Sequence, residues 1–343
     1  MKTILITGGA GFIGSNFVKF FLEKHSEYMI INLDLLTYAG NLENIKDILE
    51  HKRHKFIKGD ICNRELLEYI FEEYDVRGVI HFAAESHVDN SIKTPERFFY
   101  TNVLGTFTLI DVAYRYWMKA PFEYRDGYEN CLFHHISTDE VFGALGETGY
   151  FTEESPYRPN SPYSASKASS DLIVRSYNKT YGLNTVITNS SNNFGKYQHD
   201  EKFIPTIIRH AIYGKPIPIY GDGKNVRDWL YVLDHCEAID LVFHKGRIGE
   251  IYLIGARNEM SNINLATLIC EILDQIVPRK DGNSYKSLIS SVKDRPGHDF
   301  RYGIDPKKIE NELNWKPKHN FLEALHETVL WYVNKYSNRK CYE

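Results

Sequence analysis

Residues 4–17 read ILITGGAGFIGSNF: four apolar residues of strand length, a glycine-rich turn, then a segment with helical spacing. The turn holds Gly9-x-Gly11-x-x-Gly14 and, overlapping it, Gly8-x-x-Gly11-x-x-Gly14. Alone this pattern is weak. Here it directly follows a strand, opens a helix, and has Asp34 twenty positions beyond Gly14. Each part has a physical demand behind it. A tight turn needs positive φ, which glycine supplies without strain. A diphosphate must approach the backbone with no Cβ in the way, and a helix N-terminus offers it free N–H groups. A carboxylate closing the second strand accepts hydrogen bonds from ribose hydroxyls and repels a 2′-phosphate, so the expected cofactor is NAD rather than NADP.

Outward from this turn, two periodicities alternate. Apolar runs of strand length lie at 4–7, 28–34, 55–60, 78–84 and 131–138, with another at 184–191. Helical spacing fills Ser15–Lys24, Arg64–Tyr74, Asn102–Met118 and Tyr163–Tyr181. Strands alternating with helices build βαβ units and a parallel sheet, and near-continuous apolar strands fit a sheet covered on both faces. The expected fold is α/β, a Rossmann-type doubly wound parallel sheet. After Gly195 the pattern loosens into loops such as KPIPIYGDGKNVRDW (215–229), with helices near Leu265–Ile276 and Phe321–Tyr336. The chain therefore divides into an NAD-binding domain over 1–190, with a returning strand near 230–256 (IYLIGA, 251–256), and a smaller, loop-rich substrate domain over 191–343.

Composition narrows the function. With 343 residues there is room for one large domain and a companion. A net charge of −4 without a run of one sign gives no polyanion-binding surface, so no nucleic-acid partner is expected. Cys62, Cys131, Cys236, Cys270 and Cys341 are odd in number, widely spaced and free of C-x-x-C pairs, which argues against a disulfide framework and a zinc site. Neither a signal peptide nor a long apolar span is visible. The expectation is a cytoplasmic protein with no metal and no membrane partner.

Two groupings carry chemistry. Tyr163 and Lys167 are one helical turn apart and share a face. An ammonium near a phenol lowers its pKa, and such a tyrosine takes a proton from a sugar hydroxyl as hydride leaves the same carbon. Thr138, Asp139 and Glu140 end the fifth strand, the edge where open α/β sheets bind ligands. Two neighbouring carboxyls in unlike environments can separate in pKa, one acid and one base. The same residue types also make helix caps, and both readings stand on spacing alone.

The chain at this point resembles the extended short-chain dehydrogenase/reductases of the sugar-nucleotide branch, and specifically the dTDP-glucose 4,6-dehydratases, over nearly its whole length. The resemblance is carried by ITGGAGFIGSNF, NLDLLTYAGNLENI, KGDICN, HFAAESHVDNSI, TNVLGT, HISTDEVFG, SPYSASKASSD, SNNFGKYQ, YGDGKNVRDWLYV and DRPGHDFRYGID. The Asp-Glu pair of STDEVFG is the segment most particular to dehydratases. The resemblance implies NAD contacts from Gly8, Gly11, Phe12, Ile13, Gly14, Asp34, Asp60, Ile61 and Ala83 together with Tyr163 and Lys167. It implies C4 oxidation by Tyr163 with Thr138, removal of the C5 proton by Glu140, and protonation of the departing C6 hydroxyl by Asp139. Substrate contacts fall to Ser86, His87, Asn192, Arg227, Asn262, Arg295 and His298, and the enzyme is a homodimer.

Some positions depart from the pattern: Asn90 for arginine, Phe142 and Phe194 for tyrosine, and Lys196, His199 and Asp200 for more apolar residues. Arg227 is also readable as a solvated charge and His87 as a structural histidine. Tyr114, Tyr116 and Trp117 are either a subunit contact or core and cap. Beside the dTDP-glucose dehydratase stand two alternatives: a 4-epimerase, decarboxylase or dehydratase acting on another nucleotide-sugar (UDP-, GDP- or CDP-linked), and a non-catalytic NAD-sensing protein.

Overall fold

The computed structural model describes residues 1–340, and Cys341 lies outside the described residues. Strand β1 (Lys2–Thr7) leads through the glycine turn into helix α1 (Phe12–Lys24) and strand β2 (Tyr28–Asp34). The alternation continues with β3 (His54–Lys58), α2 (Arg64–Tyr74), β4 (Val76–His81), α3 (Thr106–Trp117), β5 (Leu132–Thr138), α4 (Pro162–Tyr181) and β6 (Thr185–Ser190). Helices α5 (Phe203–Ile212) and α6 (Val232–Lys245) precede β7 (Ile251–Ile254) and α7 (Asn262–Ile276), and α8 (Phe321–Lys340) follows late in the chain.

The seven β-strands form one sheet in the order β7-β6-β5-β4-β1-β2-β3, every pair parallel. It is the doubly wound Rossmann-type fold. The continuous apolar strands have the cause expected of them. Ile4, Ile6, Ile30 and Ile80 pack into the core on one face, while Leu5, Ile31, Leu33 and Val79 pack into the core on the other. Side chains alternate across a strand, so a sheet covered twice needs apolar residues at every position. The strand order reverses between β1 and β4, which opens a crevice at their carboxyl ends.

Three differences from the expected boundaries bear on the site. The third strand stops at Lys58, because Gly59 N–H turns to donate to Asp34 O (3.0 Å) and Asp60 caps the next turn. The fourth stops at His81, which frees Phe82, Ala83 and Ala84 for the crevice. The helix expected from Asn102 begins as a π-helical segment, Phe99–Gly105, before regular α3. Such a widened turn often marks a functional site. Here it buries the Asn102 amide against the Glu85 backbone (2.8 and 3.0 Å) and the Ser166 hydroxyl (2.8 Å).

Beyond residue 191 the chain adds smaller sheets. Val226–Tyr231 pairs parallel with Asn192–Phe194 and antiparallel with Glu259–Ser261. Ile217–Tyr220 pairs with Ile289–Val292. IYLIGA supplies β7 of the main sheet. Trp117 is fully buried, its indole N–H donating to Val76 O (2.8 Å), and Tyr114 and Tyr116 pack on Tyr181 and Tyr128. Within the chain these aromatics pack as core and cap. No described helix is long and apolar enough to cross a membrane.

Candidate active site

The crevice is a cavity of about 710 Å³ that reaches from the glycine turn to the carboxyl ends of β5 and β6. At the turn, Gly8 has φ of +74°, and a Cβ there would lie 2.6 Å from Ala83 N. A Cβ on Gly14 would lie 2.3 Å from Gly8 O. Only glycine allows backbone to pack on backbone this closely. Helix α1 starts at Gly11 with no side-chain cap, so its first-turn N–H groups remain available to an anion. The Asp34 carboxylate accepts from Ala10 N (2.9 Å) and Leu36 N (2.8 Å) and faces the cavity. Burial raises its pKa, and these backbone donors pull the other way. Phe12, Ile13, Asp60, Ile61 and Ala83 complete this wall. The cradle a Cβ would fill, the uncapped helix and the carboxylate fit a dinucleotide such as NAD.

At the other end β5 delivers Thr138, Asp139 and Glu140. Thr138 Oγ1 accepts from Glu140 N (3.3 Å) and caps the short helix Asp139–Phe142. The cap reading and the cavity reading are thus satisfied by one geometry, because the cap holds both carboxyls at the strand end. Asp139 is buried, with Oδ2 lacking a partner. Burial, then the adjacent Glu140 charge, push its pKa well above the usual carboxylate range. Burial also raises Glu140, but Arg295, Arg227 and Lys202 face it and favour its ionised form. The two acids therefore separate: Asp139 holds a proton while Glu140 more readily gives one up.

Tyr163 and Lys167 rise from the first turns of α4, whose start is fixed by the Ser161–Ser164 capping box and Pro162. Both line the cavity, as do Thr138, Asp139 and Glu140. The expectation that Lys167 depresses the phenol needs correcting. Burial, and next the Glu140 charge, push the Tyr163 pKa well above its ordinary value. Lys167 Nζ donates to Ile136 O (2.9 Å) and lies 3.4 Å from His135 Nε2. Burial brings its own pKa down to about 8.

The substrate-side residues split. Ser86 and Asn192 line the cavity. His87, Arg227, Asn262, Arg295 and His298 do not border it directly. His87 Nδ1 accepts from Asn90 N (3.3 Å), the geometry of a structural helix cap. Arg227 is buried rather than solvated: it donates to the carbonyls of Val226 (2.7 Å) and Asp299 (2.9 Å) and lies 4.2 Å over the Tyr302 ring. Arg295 meets Asp89 (3.1 Å), and His298 meets Asp294 (2.7 Å). Asn262 is buried at the start of α7, its N–H donating to Asn225 O (3.0 Å).

Of the departures, Phe142 stacks on Phe151, and Phe194 packs against Tyr231 and Phe321. Both are buried, where a phenol oxygen would need a partner. Lys196 pairs with Glu327, and Asp200 with Lys335. His199 lines the cavity. Sequence reasoning missed Lys202, Glu85 and Gln198, which border the same space. Lys202 donates to Ser86 O (2.7 Å) and is one of the cations facing Glu140. Its position just before an amphipathic helix was the available signal, and that signal also fits a surface lysine.

Comparison with known proteins places these features. Residues 5–328 match the family model described as GDP-mannose 4,6 dehydratase. The chain is 51% identical over 334 residues to dTDP-glucose 4,6-dehydratase of Xanthomonas campestris pv. campestris, covering 97% of this chain and 93% of that one. Among solved structures, dTDP-glucose 4,6-dehydratase from Bacillus anthracis in complex with NAD is 47% identical with a TM-score of 0.85, covering 98% of each chain. UDP-glucose 4-epimerase from Thermotoga maritima shares the fold at 26% identity and a TM-score of 0.82, covering 97% of this chain and 99% of that one.

Proposed function

The chain belongs to the dTDP-glucose 4,6-dehydratase family, and from that premise we propose which of its residues carry out each step of the reaction. The enzyme is an NAD-dependent hydro-lyase that converts dTDP-glucose to the 4-keto-6-deoxy sugar, with no net redox change. Bound NAD, held along Gly8, Gly11, Gly14, Asp34 and Asp60, supplies a fixed positive charge and a reversible hydride acceptor. When NAD is bound its positive charge would favour the Tyr163 phenolate against the burial that opposes it, and the phenolate takes the proton of the C4 hydroxyl, with the Thr138 hydroxyl beside it. The C4 ketone makes the C5 proton acidic, and Glu140, held closer to ionisation than Asp139 by its cationic neighbours, removes it. Asp139, kept protonated by burial, gives its proton to the C6 hydroxyl, which leaves as water. Glu140 then returns its proton to C5 as the hydride that left C4 is delivered at C6.

The separation of the two carboxyls carries this reading. Asp139 is next to a negative charge, and Glu140 faces three positive ones. An epimerase needs no such acid pair, and a protein that only senses NAD needs neither acid. Ser86, Asn192 and Lys202 contact the sugar. Arg227 and Arg295 direct charge toward the diphosphate, with Asn262, His298 and His87 behind them. Residues up to 190 hold mainly the cofactor and those beyond 191 mainly the substrate. We place the enzyme in the cytoplasm, consistent with the free thiols of Cys62, Cys131, Cys236 and Cys270. We read it as a homodimer, in keeping with the exposed Phe99 and Leu104 on the segment leading to α3, Phe107 on α3 and Leu172 on α4. Incubation with dTDP-, UDP-, GDP- and CDP-glucose tests the assignment by product mass. Loss of one water from the dTDP-sugar in preference to the others is expected; a product of unchanged mass with inverted C4 would contradict it.

A further inference from the structure

Far from the cavity, two imidazoles converge on one buried carboxylate. His25 is the residue that ends α1, and Asp240 and His244 stand one turn apart on α6. Asp240 Oδ1 lies 2.7 Å from His25 Nε2 and 3.1 Å from His244 Nδ1. The three ligand atoms all fall within 4.8 Å of one another. We propose that His25, Asp240 and His244 bind a divalent transition-metal ion of the zinc class, which clamps the C-terminal ends of α1 and α6 together.

Several observations converge. Around a tetrahedral zinc ion with ligand distances near 2.1 Å, neighbouring donors sit about 3.4 Å apart. The two measured edges need to open from 2.7 and 3.1 Å, by about 0.7 and about 0.3 Å. Both rings have a polar partner on the nitrogen that faces away from the centre. Glu27 Oε1 lies 3.3 Å from His25 Nδ1, and the Tyr28 hydroxyl 3.2 Å from His244 Nε2. Outer partners of this kind fix a ligating histidine's tautomer and aim its inner lone pair at the metal. The fully buried Phe21 ring lies 4.5 Å from His25 and 5.9 Å from His244 between centroids, and forms an apolar floor that holds both rings.

The remaining contacts leave the position open. Lys24 pairs with the other carboxylate oxygen, Asp240 Oδ2 (2.8 Å), and its side chain is nearly half exposed, free to stay or swing out. The Asp240 carbonyl lies 2.9 Å from His244 Nδ1, a helix contact that metal binding would replace. His244 is exposed, so water can supply the fourth ligand. Two imidazoles and one carboxylate suit zinc, nickel or copper; magnesium and calcium prefer all-oxygen shells. The expectation of no metal rested on cysteine spacing, which carries no information about this site. Its ligands are histidine and aspartate, and His25 is 215 residues from Asp240. The thirteen residues of α1 put the metal about 20 Å from the glycine turn, so it acts on stability and not on the reaction.

The test is calorimetric titration of ZnCl2 into the full, tag-free, chelator-treated chain with NAD present. The wild type should take up one equivalent saturably and gain in melting temperature. The His25→Ala/His244→Ala double variant should lose both effects while keeping its dehydratase turnover. His244→Ala alone, altered at a partly exposed side chain, should weaken binding at least ~10-fold. No saturable uptake by the wild type, or the same uptake by the double variant, would overturn the proposal.

Discussion

The dinucleotide end of the cavity draws Gly8, Gly11, Gly14, Asp34, Asp60 and Ile61 from the first sixty-one residues, and the backbone does much of its work. The sugar end draws Ser86, Thr138, Asp139, Glu140, Tyr163, Asn192 and Lys202 from separate segments, and side-chain charge does its work. The first is a steric device. Its specificity comes from atoms that are missing, because a Cβ at Gly8 or Gly14 would strike backbone. The second is an electrostatic device, in which neighbouring carboxyls acquire different protonation states from their surroundings. Each half should therefore be open to damage without the other.

The largest effect is expected from Glu140→Gln, which removes the C5 base and leaves the glycine turn untouched. Dehydration should fall roughly 1,000-fold, while NAD content after purification stays at the wild-type level. Loss of NAD from this variant would merge the two halves. Gly14→Val is the converse. Its side chain must enter a space already held by Gly8 O, at a cost of about 2–3 kcal/mol, so NAD affinity should drop roughly 30–150-fold. Fluorescence titration with NAD measures it. Turnover should recover when NAD is added in excess, because the acid pair is intact.

Lys202→Met sharpens the electrostatic half. Removing a cation that faces Glu140 raises the carboxyl's pKa further, and the base must be ionised to act. Activity should therefore fall more at pH 6 than at pH 8, by about 10-fold for each unit the limb moves. A pH–rate profile that drops uniformly would make Lys202 a structural residue only. The smallest expected difference between the halves comes from the shared core. His134 and His235 are buried and depressed to about 3, so they stay neutral in the native state and accept protons near pH 6.5 once unfolded. The unfolded state then binds more protons below pH 6.5, and stability is lost as pH falls from there toward 3. At pH 5 the two together cost about 4 kcal/mol. Melting curves between pH 7 and 5 should shift downward by several degrees, with NAD release and loss of activity coinciding.

The steric half was legible in sequence because turn, strand and helix are contiguous and each constrains the backbone locally. Gly8 to Gly14, Asp34 and the strand periodicity were enough for it. Thr138–Glu140 could be placed at a strand end, yet spacing alone could not choose between cap and catalyst, and the geometry shows one arrangement serving both. Lys202 and Glu85 were not visible, because each occupies irregular chain with no period and becomes part of the site only through tertiary contacts. The protonation of Tyr163 was misjudged for a related reason. An i, i+4 spacing fixes which face two residues share, but the direction of a long lysine side chain is set by its tertiary partners, here the Ile136 carbonyl.

One isotopic measurement addresses the whole scheme, in which oxidation, elimination and reduction occur on one hexose without release. The enzyme is given dTDP-glucose carrying deuterium at C4, and the product is analysed by nuclear magnetic resonance. The account predicts the deuterium at C6 of the 4-keto-6-deoxy product. Deuterium retained at C4, or lost to solvent while water is still eliminated, would contradict it.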